Sequence, residues 1–132
     1  SLVVTDRESR GTRQSGRLRH VSDRDFAMHQ LRYEDLVAAA DVVVTKPGYG
    51  IVSECAANRT AIVYASRGSF VEQDILVQAM PGLLRCRFIE QEDLLAGRWQ
   101  EAIEAVLAQP EPSETVRADG AEEAAAAILD VL

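Results

Sequence analysis

Ala40-Asp41-Val42-Val43-Val44-Thr45-Lys46-Pro47-Gly48-Tyr49-Gly50-Ile51-Val52-Ser53-Glu54 decides the fold, because an apolar strand pattern runs straight into a glycine loop that opens a helix. A strand that is apolar throughout, without polar alternation, belongs to a sheet covered on both faces, and that is the habit of parallel sheets. The loop behind it offers a place for an anion. A helix start leaves backbone N–H groups unpaired at the positive end of the dipole, and Gly48 and Gly50 let a phosphate approach the backbone with no side chain between. The same arrangement also serves simply to turn the chain, so both readings stay open at this point.

Outward from this stretch the pattern repeats. Ala61-Ile62-Val63-Tyr64 reads as a second apolar strand, and Ser66-Arg67-Gly68-Ser69-Phe70-Val71-Glu72-Gln73-Asp74 as a polar loop entering a second helix. In an open parallel sheet both loops lie at the carboxyl ends of their strands, where ligands of α/β folds bind. Arg85 to Ile89 is the next strand. This alternation predicts an α/β fold with a Rossmann-like parallel sheet flanked by helices and right-handed crossovers.

The remaining elements follow from local signals. Leu2 to Thr5 reads as a strand, residues 6–17 as an exposed loop rich in Arg, Ser and Gly, Leu18 to Val21 as a strand and Phe26 to Leu31 as another candidate strand. Tyr33 to Ala40 carries Leu36, Val37 and Ala40 at helical spacing. The helix Ile51 to Asn58 is expected to end at Asn58, a residue tolerant of the left-handed conformation. Ser69 and Glu72 form an S-x-x-E capping box for a helix with Ile75, Leu76 and Ala79, which Pro81-Gly82 should end. Glu90 to Leu95 reads as one helical turn, Arg98 to Ala108 as a helix with Trp99, Ile103, Val106 and Leu107 on one face, and Gln109 to Ser113 as a proline-punctuated link. Asp119 with Glu122 is expected to cap a last helix whose Ala121, Ala124, Ala125, Ile128 and Leu132 form a buried stripe.

The run ADVVVTKPGYGIVSECAANRTAIVYASRGSFVEQD resembles the nucleotide-sugar-binding half of GT-B glycosyltransferases, the class of the peptidoglycan N-acetylglucosaminyltransferase and the plant monogalactosyldiacylglycerol synthases. With Asp93-Leu94-Leu95-Ala96-Gly97-Arg98-Trp99 and the terminal Gly120-Ala121-Glu122-Glu123-Ala124-Ala125, residues 34–132 are also similar to the glycosyltransferase-like region attached to plant arabinose kinases. The resemblance implies a single donor-nucleotide-binding domain over residues 1–132, a UDP-sugar as partner and no cofactor or metal. A donor half of this kind should begin with another strand, glycine loop and helix, and an acceptor-binding half should precede it. The chain starts too late to hold either, so it is expected to be a C-terminal piece of a longer protein or a reduced relative, inactive in isolation.

Composition narrows the alternatives. The chain has 132 residues, 47% of them apolar, enough to bury a core. No apolar run approaches the roughly 20 residues of a spanning helix, and the start lacks the basic head and apolar core of a signal peptide, so a cytoplasmic setting is expected. Cys55 and Cys86 have no metal-ligand spacing and read as buried free thiols, and His20 and His29 as ordinary residues. The net charge of −7 is uneven: residues 1–32 hold seven Arg against Asp6, Glu8, Asp23 and Asp25, while the rest holds seven basic and seventeen acidic groups. An acidic body and an Arg stretch without interleaved aromatics argue against nucleic acid. Arg7, Arg10, Arg13, Arg17 and Arg19 read as a solvated loop, or as a rim facing an anionic ligand or partner domain.

The resemblance assigns roles residue by residue. Gly48, Tyr49, Gly50, Ile51 and Val52 would offer backbone N–H groups and the dipole to a diphosphate. Ser53 would bind a phosphate oxygen or satisfy its own first turn. Apart from the resemblance, Lys46, the chain's one lysine, stands close before the glycine loop, a position that suits a phosphate contact or a solvated strand end. Glu54 would accept hydrogen bonds from ribose hydroxyls, with a first-turn acid complementing the dipole as the plainer role. Glu72 and Gln73 align with positions that read sugar hydroxyls, although capping alone would account for Glu72. Leu94, Leu95 and Trp99 read as core. The catalytic base is unknown and would lie on the absent half; a noncatalytic interaction module or part of a nucleotide-sugar epimerase are the competing readings.

Overall fold

Leu2–Thr5 (β1), Arg13–Ser15 (β2) and Leu18–Val21 (β3) form a three-stranded sheet in the computed structural model, which describes residues 1–5, 11–66, 68, 72–113, 116–117 and 119–131. β1 lies parallel to β3 and β2 antiparallel to it, in the order β1-β3-β2. Ser15 pairs with Leu18, which leaves Gly16 and Arg17 as a two-residue hairpin loop. Gly16 has φ +57°, at the loop position where glycine is the unstrained choice. Part of the expected loop 6–17 is therefore strand; residues 6–10 lie outside the described ones.

The expected strand Phe26–Leu31 is not a strand: its first three residues belong to the helix Asp23–Met28 (α1), and residues 29–31 follow the helix end. A capping box starts α1. Ser22, 1% exposed, gives its N–H at 2.8 Å and its hydroxyl at 2.6 Å to Asp25 Oδ2, and its Oγ accepts from the Asp25 N–H. Tyr33–Ala38 (α2) follows as a helix two residues shorter than the expected Tyr33–Ala40, with the Arg32 N–H donating to Asp35 Oδ2 at 2.7 Å. These elements belong to one compact unit, Ser1–Ala39, and the remainder to a second, Ala40–Leu132.

The second unit is the predicted α/β layer. Val42–Thr45 (β4), Tyr49–Asn58 (α3), Ala61–Tyr64 (β5), Gln73–Leu83 (α4) and Cys86–Phe88 (β6) build an all-parallel sheet of order β4-β5-β6. β5 is central and buried throughout. β4, expected to be covered on both faces, is half-buried along its length because it is an edge strand. α3 packs against β5 and α4, and Val52, Cys55, Leu76 and Met80 of the two helices are buried. Gln91–Ala96 (α5) and Gln100–Leu107 (α6) follow β6, and Ala102 and Val106 of α6 pack with Ala61, Val63, Ala65 and Ile89, flanked by Leu94, Trp99 and Ile103. Trp99 donates its indole N–H to Leu94 O at 2.9 Å, so the polar tip of this core residue is satisfied.

Several boundaries differ from the sequence reading. α3 starts two residues early, and Arg59 rather than Asn58 takes the left-handed position, φ +57°. Asn58 stays helical and spends its amide on Glu54 O at 2.9 Å. Glu72 is the N-cap of α4 rather than the third residue of a box, with no side-chain capping bond, and Ser69 lies outside the described residues. Pro81 and Gly82 do not end α4 but sit inside its last turn, where Pro81 gives up the bond its N–H would make to the carbonyl four residues back. Gly120–Leu129 (α7) forms, but its N-cap Asp119 makes no capping bond and is held by Arg117 instead. Its expected buried stripe is exposed: every residue from 120 to 131 is, Ile128 at 64%, and Leu132 lies outside the described residues. Both cysteines are free, Cys55 buried and Cys86 half-buried. Among the described residues no helix is long and apolar enough to cross a membrane.

Candidate functional site

β4 and β5 are adjacent and parallel, so the loops leaving them emerge side by side at the carboxyl edge of the sheet. Thr45 pairs with Tyr64 there. The chain after Thr45 passes exposed Lys46 and buried Pro47 and reaches Gly48, the N-cap of α3, with φ −155° and ψ 156°. Any residue adopts that backbone, so Gly48 is not required by conformation. It supplies no side-chain cap, and the first turn carries no acid. The positive end of α3 is thus left without the complements that usually occupy it.

The first helical bond is Val52 N–H to Gly48 O at 3.0 Å. Val52 is 2% exposed and its N–H is used, which removes it from the donors the sequence suggested. Gly48, Tyr49, Gly50 and Ile51 remain as the four N–H groups with no partner inside the helix. Gly50 is exposed, and a Cβ there would meet nothing within 4 Å. Glycine inside a helix costs about 1 kcal/mol relative to alanine, so the fold gains nothing from Gly50.

Ser53 and Glu54 lie two residues further into the helix than the sequence implied, beyond its first turn, because the helix starts earlier. Ser53 is exposed and stacks one turn above Tyr49, which excludes a capping role in the first turn. Glu54 is half-buried and four residues beyond Gly50, too far along to complement the helix start. Glu54, four residues after Gly50, shares its face of the helix one turn on. Among the described residues its carboxylate has no hydrogen-bond or ion-pair partner, and neither has the Lys46 ammonium.

Beyond the loop after β5, Gln73 is already committed: its Nε2 donates to Ser66 Oγ at 3.2 Å, and that oxygen also accepts from the Gly68 N–H at 3.1 Å. It braces the loop after β5. Glu72 is exposed beside it. Two aromatics on this edge escaped the sequence reading. Tyr64 and Phe88 end neighbouring strands and meet edge to face, centroids 5.7 Å apart, with Phe88 46% exposed. Their signal is an aromatic as the last residue of each strand. Burial, and then the Cys86 thiol, push the Tyr64 phenol above its ordinary value, and burial pushes Cys55 up to about 12, so neither is a ready nucleophile.

A cavity of about 40 Å³ lies at the other end of α3, lined by Ala56, Arg59, Leu84, Arg85, Glu111 and Pro112 among others. It has room for little more than water, whereas small-molecule sites run to roughly 300–1,000 Å³. Among the described residues no group of three or more His, Cys, Asp or Glu is arranged to hold a metal ion. No family model, curated protein or solved structure matches the chain.

Proposed function

We propose that this chain binds the diphosphate of a nucleotide sugar, with a UDP-sugar as the donor, at the start of α3, and that it is the donor half of a GT-B-type glycosyltransferase. Gly50 carries this reading. A glycine that helix propensity disfavours, set among unpaired N–H groups with open space above it, suits a ligand that must touch the backbone. Glu54, on the same helix face as Gly50, is suited to accept two ribose hydroxyls, and Lys46 to meet a phosphate. The donor half needs no metal in this reading, acts in the cytoplasm, and leaves the base for the acceptor hydroxyl to an acceptor half. Glu72 is free to read a sugar hydroxyl; Gln73 acts by holding the loop that carries it.

Calorimetry with UDP, with and without chelator, tests the reading. Gly50→Ala should raise stability by about 0.5–1 kcal/mol, because alanine is the better helix former, and weaken UDP binding at the same time. Glu54→Ala should cost about 1–3 kcal/mol of affinity, the scale of a charge-assisted hydrogen bond. Undiminished UDP affinity in Gly50→Ala, or binding abolished by chelator, would overturn the proposal.

A further inference from the structure

At the outer edge of β6 the Gln109 side chain stands where the peptide group of another strand would. The bonds Ile62 N–H to Arg85 O, 2.9 Å, and Ile89 N–H to Tyr64 O, 2.8 Å, turn residues 85, 87 and 89 toward β5. Cys86 and Phe88 therefore direct their N–H and C=O groups outward. The Cys86 N–H donates to Gln109 Oε1 at 3.1 Å, and Gln109 Nε2 donates to Cys86 O at 3.1 Å. A carboxamide has the donor and acceptor of a peptide group, so this pair reproduces both bonds of a ladder. Arg85 fastens the segment that carries Gln109, donating to Leu107 O at 3.4 Å and pairing with Glu111 at 3.2 Å.

We propose that Gln109 is a surrogate strand that ends the sheet at β6 and keeps this edge from pairing with an extended segment of a second copy of the chain. An uncovered edge is a template for such pairing. β6 has only three residues and two of them point outward, so occupying Cys86 leaves Phe88 alone, too little for a ladder. The inference is independent of what the carboxyl edge binds.

The test uses the whole chain. In the wild type, the Cys86 amide should exchange its hydrogen more slowly than the outward amide of Phe88; equal or reversed protection overturns the proposal. Gln109→Met keeps the stem and removes the amide, and in sedimentation velocity it should self-associate at least about tenfold more tightly than wild type, the scale of one or two net hydrogen bonds. Adding Phe88→Lys, a charge on the same edge, should reverse that gain. Sedimentation of Gln109→Met like wild type, or association that survives Phe88→Lys, overturns the proposal. If Gln109→Met does not fold, the exchange order in the wild type still decides.

Discussion

A carboxylate that accepts two short hydrogen bonds gives up its charge late, and Asp25 is the case in this chain. The Ser22 hydroxyl first, and then the Ser22 N–H, hold its pKa at about 2 against an ordinary 3.8. The folded value is depressed, so the unfolded chain binds the proton more readily between the two values. Asp25 should therefore contribute its full stabilisation above about pH 4, lose it as pH falls toward 2, and contribute nothing below that. Thermal melts of the wild type and Asp25→Asn between pH 5 and 2 should show a difference that shrinks over this window. A difference that stays constant would mean that the box holds α1 without the charge. The other titrating group with a large displacement, Cys55, is kept neutral by burial, and its thiol should resist alkylation in the native state.

At the scale of elements, what was legible followed from whether local signals had competitors. β4, α3, β5, β6 and α6 were readable because a long apolar run or a helical stripe admits one periodicity. Phe26–Leu31 misled because a short apolar stretch fits strand or helix, and the deciding signal, Ser22 three residues before Asp25, sat outside the window taken as the element. β2 has no apolar residue, Arg13-Gln14-Ser15, and exists by pairing with β3, which composition does not reveal. α7 shows the reverse failure: its apolar spacing is real, yet no face of it is buried. In the candidate site, the loop and its glycines were visible in sequence, while the donor count and the places of Ser53 and Glu54 depended on the first helical residue. The end of α3 makes its own prediction. Arg59 holds φ +57° at the position where glycine is usual. Relieving that strain gains about 1–2 kcal/mol and the added freedom of glycine in the unfolded chain takes back about 0.4–1, so Arg59→Gly should stabilise by about 0.5–1 kcal/mol in urea unfolding. A destabilised variant would mean that the Arg59 side chain holds something the fold needs.

For the molecule as a whole, the division at residues 39 and 40 has an energetic consequence. The core cluster around Ala61, Val63, Ala65, Ile89, Ala102 and Val106, with Val42, Val44, Leu94, Trp99 and Ile103 against it, is drawn entirely from the second unit. So are the buried Val52, Cys55, Leu76 and Met80 under α3 and α4. Apolar burial is the dominant favourable contribution to folding, and a unit that supplies both sides of its own packing has what independent folding requires. Residues 40–132 expressed alone should then unfold in one cooperative urea transition, with a slope in the range of about 1–3 kcal/mol/M for small proteins. The same fragment holds Lys46, Gly48 to Glu54, Glu72 and Gln73, so under the proposed function it should bind UDP as tightly as the full chain does. A fragment that lacks a cooperative transition would show that Ser1–Ala39 contributes to this core after all. A fragment that folds but binds UDP more weakly than the full chain would count against a site built from residues 40–132 alone.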